Sequence, residues 1–289
     1  MKRPMLAVLI LIVILGGAQP CIGFAETTAA LSNSQYAPHR SELIRDFTLT
    51  GMLGLSQLLI PLNWESQRLF PDDLNDLDES IRNSWHTKTD NFLDGNMGAL
   101  STPFAVAAVI TGLNWREGRP WRQTETELLI FTNGAFANGF LTKSFKNGFS
   151  RRRPIFEFAS AAARAELDVK AANHKSFYSG HTSTAFYSAA FLRRRISQSL
   201  AQHGHTGIGS GYQWLTGITL YGWASYVGYS RIEIDQHYFT DVMVGALMGV
   251  LFEAVYYRFN LKHWNSDASW RLTSQVSPEK VQLQFAMRF

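Results

Sequence analysis

Long apolar runs dominate the chain, and they lack the alternation of polar and apolar positions that a half-buried strand shows. Each run has a length typical of a helix, and charged or glycine-containing segments separate the runs. The pattern predicts six main helices, at 47–64, 95–115, 124–143, 179–192, 212–229 and 237–259. Since the strand–helix alternation of an α/β fold is missing from this sequence, we expect an all-α helical bundle.

Local signals predict where some of these elements begin and end. Thr124 followed by Glu127 resembles a capping box, which would open a helix at Thr124. Three consecutive arginines at 193–195 are expected to end the helix at 179–192. The acidic run at 72–79 is expected to form a loop or a solvated face.

The C-terminal segment has a different period. Alternate positions there are apolar: Val281, Leu283, Phe285 and Met287. The residues Ser-Pro-Glu-Lys at 277–280 are typical of a turn. The sequence therefore predicts a β-hairpin in a tail at 265–289, after a helical domain at 26–264.

The N-terminus, 1–25, has the three parts of a secretory signal peptide. Two basic residues precede an apolar run at 5–15, and small residues precede a cleavage site after Ala25. An uncleaved anchor helix is the alternative. Export to the periplasm or cell envelope is expected. Cleavage would remove Cys21, the only cysteine, so the mature chain would contain no disulfide.

Composition limits the class of partner. Hydrophobic residues make up 46% of the chain and charged residues 17%, and losing the two basic residues of the leader would lower the net charge from +4 to +2. A chain so close to neutral is not expected to bind nucleic acid. Because a bilayer span needs about 20 apolar residues, the helix at 179–192 is too short to cross. We therefore expect a periplasmic globule that can sit on a membrane surface rather than a bundle that spans the membrane.

Three stretches place basic residues and histidines near predicted helix ends. They are KNGFSRRRP at 146–154, SGH at 179–181 and SRIEIDQHYFTD at 230–241. Each alone has an ordinary explanation: a solvated basic face, a helix cap, and a surface His–Asp pair worth a few tenths of a kcal/mol. Only the combination of all three stretches indicates a catalytic site.

Together the three stretches supply what phosphoryl transfer requires. A phosphate ester spreads negative charge over its non-bridging oxygens, so cations and backbone N–H groups must converge on it. Lys146, Arg153 and Arg231 provide three cations. The predicted helix start provides backbone donors at Ser179 and Gly180 and the positive end of a helix dipole.

The remaining groups fit a nucleophile and a general acid. His237 and Asp241 are four residues apart and are expected on one helix face, where the carboxylate can hold one ring N–H and leave the other nitrogen free to attack. His181 can protonate the leaving oxygen. No metal is expected to be needed, because the cations neutralise the phosphate.

The three motifs in this order resemble those of the type 2 phosphatidic acid phosphatase (PAP2) superfamily. That superfamily includes bacterial class A acid phosphatases, membrane lipid phosphatases and vanadium haloperoxidases. The matching positions are Lys146, Arg153, Pro154, Ser179, Gly180, His181, Ser230, Arg231, His237 and Asp241. The resemblance implies an all-helical bundle, a phosphohistidine on His237, no metal cofactor and inhibition by vanadate. One position departs from the pattern: the family usually has proline where this chain has Tyr178, which is expected to loosen the loop or alter the rim of the pocket.

Two other functions remain open beside a phosphatase. A vanadium-dependent haloperoxidase would use the same pocket for vanadate, although such enzymes are usually much longer chains. A non-catalytic envelope protein could keep the motifs as relics, although every motif position except the proline is filled. The substrate also remains open between lipid phosphates, pyrophosphates and small soluble esters. The 8 tryptophans and 20 phenylalanines fit a lipid substrate and equally a packed core.

Overall fold

The computed structural model describes residues 48–49, 51–52, 55, 76–86, 97–168, 170–203, 211–265, 271–277 and 280–286. The predicted leader at 1–25 lies outside these residues. The predicted helix at 47–64 lies mostly outside them, and the positions within it that are described are helical.

The described chain is helical apart from one hairpin. Its α-helices are α1 (Asp76–Trp85), α2 (Met97–Arg116), α3 (Trp121–Phe149), α4 (Pro154–Glu157), α5 (Ala161–Asp168), α6 (Gly180–Gln202), α7 (Gly211–Glu233) and α8 (Phe239–Asn265). Strands β1 (Arg271–Ser277) and β2 (Lys280–Ala286) pair antiparallel. The all-α prediction and the hairpin prediction are confirmed.

Helix α6 forms the centre of the bundle and packs against α8, α7, α2 and α3. Its contact with α8 is close because α8 carries glycines at the crossing. A Cβ atom on Gly245 would lie 2.7 Å from the carbonyl oxygen of Ser179, and one on Gly249 would lie 2.3 Å from that of Ser183. Glycine at these two positions therefore allows the N-terminal end of α6 to lie directly against the first turns of α8.

The arginine run at 193–195 does not end α6, which continues to Gln202. All three arginines contact neighbouring segments, and Arg193 lies over the Tyr221 ring of α7. Arg194 makes two 2.9 Å hydrogen bonds to the buried carboxylate of Glu253 on α8. Arg195 pairs with Glu117 at 2.6 Å and with Glu127 at 3.1 Å. A run of arginines is expected to end a helix when water solvates it. Here carboxylates between the helices pair with Arg194 and Arg195, so α6 continues through the run.

The predicted capping box at Thr124 is also wrong, because the helix begins earlier and the Glu127 carboxylate pairs with neighbouring segments. Helix α3 begins at Trp121, directly after Pro120, so Thr124 lies inside the helix and is buried. The Glu127 carboxylate accepts a hydrogen bond from the side-chain amide of Asn114 at 3.0 Å in addition to pairing with Arg195. Glu127 therefore neutralises a cation between helices and does not cap a helix.

The described part of the acidic run is helix α1, so a loop at 76–79 is wrong. Asp76 and Glu79 are exposed, as a solvated face requires, but Asp78 is only 1% exposed. Helix α1 packs on α7 and α8, where Trp85 joins Ile232 in a small apolar cluster. The buried side of α1 faces the entrance of α8.

Candidate active site

His237 and Asp241 form a buried pair at the entrance of α8. His237 is 2% exposed and Asp241 is fully buried. Helix α8 begins at Phe239, so His237 precedes the helix and the predicted shared helix face is wrong. Asp241 lies at the third helical position, and its Oδ2 accepts the N–H of Tyr238 at 3.0 Å while lying 3.6 Å from His237 Nδ1. The same bend that caps the helix therefore places the carboxylate beside the imidazole.

Two further side chains hold the Asp241 carboxylate. The Ser176 hydroxyl donates to Oδ2 and lies 3.4 Å from His237 Nδ1. Arg151 Nη1 donates to Oδ1 at 2.7 Å. Burial alone would raise the pKa of Asp241, but the neighbouring His237 ring and the charge of Arg151 hold that pKa below its usual range. The carboxylate is therefore ionised and fixed in orientation.

The pKa of His237 is lowered to about 4. Burial is the main cause, and the charge of Lys146 adds to it, whereas the nearby Asp241 carboxylate opposes the shift. Asp241 therefore favours the charged imidazole, as its position suggests, but burial outweighs it. Since Nδ1 faces the carboxylate, Nε2 is the nitrogen left on the opposite side of a neutral ring.

The N-terminus of α6 lies against α8 through Ser179. Its backbone N–H, which the sequence predicts to bind phosphate, donates to the carbonyl oxygen of Asp241 at 3.1 Å in this structure. Its hydroxyl oxygen instead accepts hydrogen bonds from Thr182, at 2.8 Å from the hydroxyl and 3.4 Å from the N–H. Gly180 and His181 follow as the first residues of α6, where backbone N–H groups have no intrahelical acceptor. These two are the backbone donors that an anion can use.

His181 carries a buried ring nitrogen that is ready for a ligand. Among the residues that the structure describes, no group hydrogen-bonds to its Nε2, which is shielded from solvent. The pKa of His181 is lowered to about 3 by burial and by the positive charges of Arg231, Lys146 and Arg153. An anion that binds beside this imidazole would add negative charge and raise the pKa of His181 again.

The three predicted cations converge on this histidine pair. Arg231 is 3% exposed, and its Nε donates to the Ser230 hydroxyl at 3.1 Å. Arg153 donates from Nη1 to the side-chain oxygen of Gln236, while its buried Nε has no hydrogen-bond partner in the described chain. Burial and the neighbouring Arg153 charge lower the pKa of Lys146 to about 8. Asp241 opposes the lowering of the pKa of both Lys146 and Arg153, but burial and the neighbouring cations outweigh it. A bound phosphate group would add the negative charge that favours the charged form of both side chains.

Tyrosine stands at the entrance to α6 where the family usually has proline. Tyr178 is fully buried and packs against Phe145 and Phe177, so it does not lie at the rim of the pocket. Its hydroxyl lies 3.3 Å from the Thr142 hydroxyl on α3. Burial raises the pKa of Tyr178, which stays neutral.

The sequence patterns do not single out Ser176 or Arg151, and they predict a loop or a solvated face for Asp78. Only Arg151 carried a signal, because it lies two residues before Arg153. Within the described residues, no group of three or more His, Cys, Asp and Glu side chains is arranged to hold a metal ion.

A family model described as the PAP2 superfamily matches residues 127–265, which include every predicted site residue. A lipid A 1-phosphatase of Porphyromonas gingivalis is 26% identical over 89% of this chain and 48% of its own length. Lipid phosphate phosphatase 1 of Arabidopsis thaliana is 33% identical over 42% of this chain and 40% of its own length. The chain thus spans less than half of each of these curated relatives.

One solved structure is similar over most of its length. It is a transmembrane PAP2-type phosphatidylglycerolphosphate phosphatase from Bacillus subtilis, 19% identical, with a TM-score of 0.42 over 91% of this chain and 98% of that one. The family match covers all three sequence motifs, and their side chains meet at one site. Residues 127–265 of this chain, a little under half of its length, thus match the PAP2 superfamily.

Proposed function

We propose that this chain is a metal-independent phosphatase that hydrolyses phosphate monoesters through a phosphohistidine on His237. The observation that carries the proposal is the meeting of two neutral histidines with three cations. His237 has one nitrogen beside a carboxylate, and His181 presents a buried nitrogen without a partner among the described residues. The cations of such a site outnumber its carboxylates, so the site suits a phosphate dianion.

Phosphate binding is assigned to groups from three segments. Lys146 and Arg153 come from the end of α3 and the turn after it, and Arg231 comes from the end of α7. The backbone N–H groups of Gly180 and His181 add the positive end of the α6 dipole. These donors approach the non-bridging oxygens, which carry the charge in the ground state and in the transition state.

The first chemical step transfers the phosphoryl group to the protein. His237 Nε2 attacks phosphorus with its lone pair, and the phosphorus–oxygen bond to the leaving group breaks. His181, protonated once the anion is bound, gives its proton to the leaving oxygen. Asp241 holds the Nδ1–H of His237 and stabilises the positive charge that the ring acquires.

The second step restores the protein. Water attacks the phosphorus of the phosphohistidine while His181, now neutral, accepts a water proton. The nitrogen–phosphorus bond breaks, its electron pair returns to Nε2, and inorganic phosphate leaves. Vanadate is expected to inhibit, because it can adopt the five-coordinate geometry of both transition states.

A lipid phosphate is the proposed substrate class. The relatives described above are named as lipid phosphatases, and the helices of this chain expose large apolar side chains. The most exposed of these are Met52, Phe104, Trp115, Trp121, Leu215 and Val255. On α8, Leu247, Leu251 and Val255 recur every four residues along one exposed face. Apolar surface of this kind marks a membrane-facing region in an otherwise folded domain.

We further propose that the chain is exported and associates with the cell envelope. Among the described residues, Phe239–Tyr257 is the one segment long and apolar enough to cross a bilayer, and 33% of it is buried inside the bundle. The proposed unit comprises a leader at 1–25, the helical domain at 26–264 and the tail at 265–289. Cleavage after Ala25, and sedimentation of the mature chain with membranes, are the expected observations.

The deciding experiment is hydrolysis by the purified full chain in the presence of EDTA. p-Nitrophenyl phosphate serves as the general substrate, and phosphatidic acid, phosphatidylglycerol phosphate, an isoprenoid pyrophosphate and a soluble sugar phosphate form the panel. We expect turnover without metal, inhibition by vanadate and a preference for a lipid substrate. Lack of turnover on every substrate, or a strict requirement for added metal, would overturn the proposal. Bromide oxidation by the vanadate-loaded protein would favour the haloperoxidase alternative.

A further inference from the structure

Helix α1 lies outside the segment that the family model matches, yet it reaches the active site. Its Asp78 is 1% exposed and makes contacts to two elements of the site. Asp78 Oδ1 accepts the backbone N–H of Thr240 at 2.9 Å, and Oδ2 accepts the Thr240 hydroxyl at 2.8 Å. Asp78 Oδ2 also accepts Arg151 Nη2 at 2.9 Å. A buried carboxylate with three donors from the site is not explained by helix packing alone.

Arg151 links this carboxylate to the nucleophile. Its Nη1 donates to Asp241 Oδ1 at 2.7 Å and to the Thr240 hydroxyl at 2.8 Å, while Nη2 bonds to Asp78. The guanidinium is planar and its donors are fixed relative to one another, so anchoring one nitrogen fixes the direction of the other. The Tyr238 ring covers its central carbon at 4.1 Å. Asp78 therefore determines where Arg151 places the Asp241 carboxylate.

A second contact ties the same helix to the loop before α8. Arg82, one turn after Asp78, donates to both carboxylate oxygens of Asp235, at 2.8 and 2.7 Å. Asp235 has a φ of 55°, and its carbonyl accepts the N–H of Ile155 at 3.0 Å. Helix α1 thus holds the segment that carries His237 at two points.

We propose that Asp78 is a positioning residue of the active site and acts on His237 through the Arg151 guanidinium. The inference rests on the proposed function, because it assigns a role within that reaction. Asp78 does not touch the phosphate. It keeps Arg151 directed at Asp241, so that the carboxylate accepts Nδ1–H and leaves Nε2 available for attack.

The test compares Asp78→Asn with Asp76→Asn on the same helix. Asp76 is exposed, so its variant repeats the chemical change at a site without these contacts. We expect Asp78→Asn to lower kcat by roughly tenfold to a hundredfold, the range for residues that orient a ligating or catalytic group, with KM changed by less than about threefold. Asp76→Asn is expected to match the wild type. A loss in KM alone, or equal losses in both variants, would overturn the proposal.

A double-mutant cycle tests the route through Arg151. Because Asp78 acts through this guanidinium, Asp78→Asn should cost less than about threefold in kcat when Arg151→Gln is already present. Multiplied losses would show that Asp78 acts independently of Arg151 and would contradict the proposal.

Histidine nitrogen NMR at neutral pH separates this inference from the proposed function. The wild type should hold His237 mainly as the Nδ1–H tautomer, and Asp78→Asn should increase the Nε2–H form, whether or not the chain is an active phosphatase. An unchanged tautomer would overturn the positioning role even in an active enzyme.

A second variant covers the case in which Asp78→Asn does not fold. Thr240→Val keeps the side-chain shape and removes the hydroxyl shared by Asp78 and Arg151. A loss of roughly threefold to tenfold in kcat is expected, as for one hydrogen bond. Wild-type kcat and an unchanged His237 tautomer in this variant would contradict the proposal.

Discussion

Asp241 Oδ2 lies 3.6 Å from Nδ1 of His237, and the same oxygen accepts the backbone N–H of Tyr238 at 3.0 Å. One carboxylate therefore caps α8 and orients the proposed nucleophile. A change that moves the cap also moves the imidazole, which couples the start of this helix to the chemistry.

Asp241→Asn is expected to lower the rate by roughly a hundredfold or more, because an amide no longer holds Nδ1–H or stabilises the ring charge. The sign of the pH effect follows from the pKa of His237. Asp241 raises that pKa against the effect of burial, so removing its charge should move it further below about 4. The acidic limb of the kcat/KM profile, where His237 loses its proton, should move to lower pH. A limb that moves upward would contradict the assignment of His237 as the group that must be unprotonated.

His237→Ala should abolish turnover, with a loss on the order of a thousandfold or more, while the circular dichroism spectrum stays close to that of the wild type. The exposed His203 at the end of α6 provides the control, because His203→Ala removes an imidazole far from the site in sequence. Chain denatured in alkaline detergent after brief exposure to labelled substrate should carry phosphate in the wild type and none in His237→Ala, because phosphohistidine is stable in base and hydrolyses in acid. Equal labelling of both would remove His237 from the nucleophile role.

Arg153→Ala and Arg231→Ala should each reduce kcat/KM by roughly 10²–10³-fold, because each removes a cation from a buried anion site. Lysine should restore little, since a single ammonium cannot reproduce the planar fork of donors. Arg164, which is exposed, offers the matched control, and Arg164→Ala should leave kcat/KM unchanged. Full activity in both lysine variants would mean that the two arginines act only as diffuse charge.

The sequence predicted the fold class, the hairpin and the meeting of the three motifs, since these depend on periodicity and on residue types at fixed spacing. It failed where charge is buried between helices. The sequence predicts a cap at Glu127 and a loop or solvated face at Asp78, because nothing local in a sequence shows which partner will neutralise a carboxylate. Ser176 and Arg151 were missed for the same reason: their roles depend on the position of Asp241, which is distant in the chain.

The Ser179 backbone illustrates a second limit. Its N–H was expected to bind phosphate, but the close packing of α6 against Gly245 brings it to the carbonyl of Asp241 instead. Helix starts can be predicted from sequence, whereas the occupation of each terminal N–H depends on how neighbouring helices approach.

The free energy of unfolding should fall as the solution becomes acidic, over a pH range set by the pKa values of His237 and His181. Their folded-state pKa values, about 4 for His237 and about 3 for His181, lie below the usual value near 6.5. Between these limits the unfolded chain binds more protons than the folded one, so stability is fully present above about pH 6.5 and is lost as the pH falls toward 3. Thermal unfolding from pH 8 to 4 should show this decrease, and His181→Gln should make the curve shallower.

A melting temperature that stays constant from pH 7 to 5 in the wild type would show that the histidines are not held neutral. Below about pH 4 the ionised Asp241 adds a further loss, because its folded pKa is also lowered. Saturating phosphate should reduce the acid sensitivity, since a bound anion favours the charged form of His181.

The role of His181 can be distinguished from that of His237 by how the loss of activity in a His181 variant depends on the leaving group. If His181 protonates the departing oxygen, His181→Ala should lower kcat/KM for an alkyl phosphate by roughly 10²–10⁴-fold, the usual contribution of a general acid. For p-nitrophenyl phosphate, whose leaving group needs little protonation, the loss should stay within about tenfold. The comparison uses kcat/KM because this quantity reports steps through phosphoryl transfer, whereas kcat also includes hydrolysis of the phosphohistidine, which is common to both esters. The wild-type kcat profile should be bell-shaped, and its alkaline limb, which reports His181 in the complex, should flatten in His181→Ala. An equal loss of kcat/KM on both esters would assign His181 to phosphate binding and leave the leaving oxygen to another proton donor.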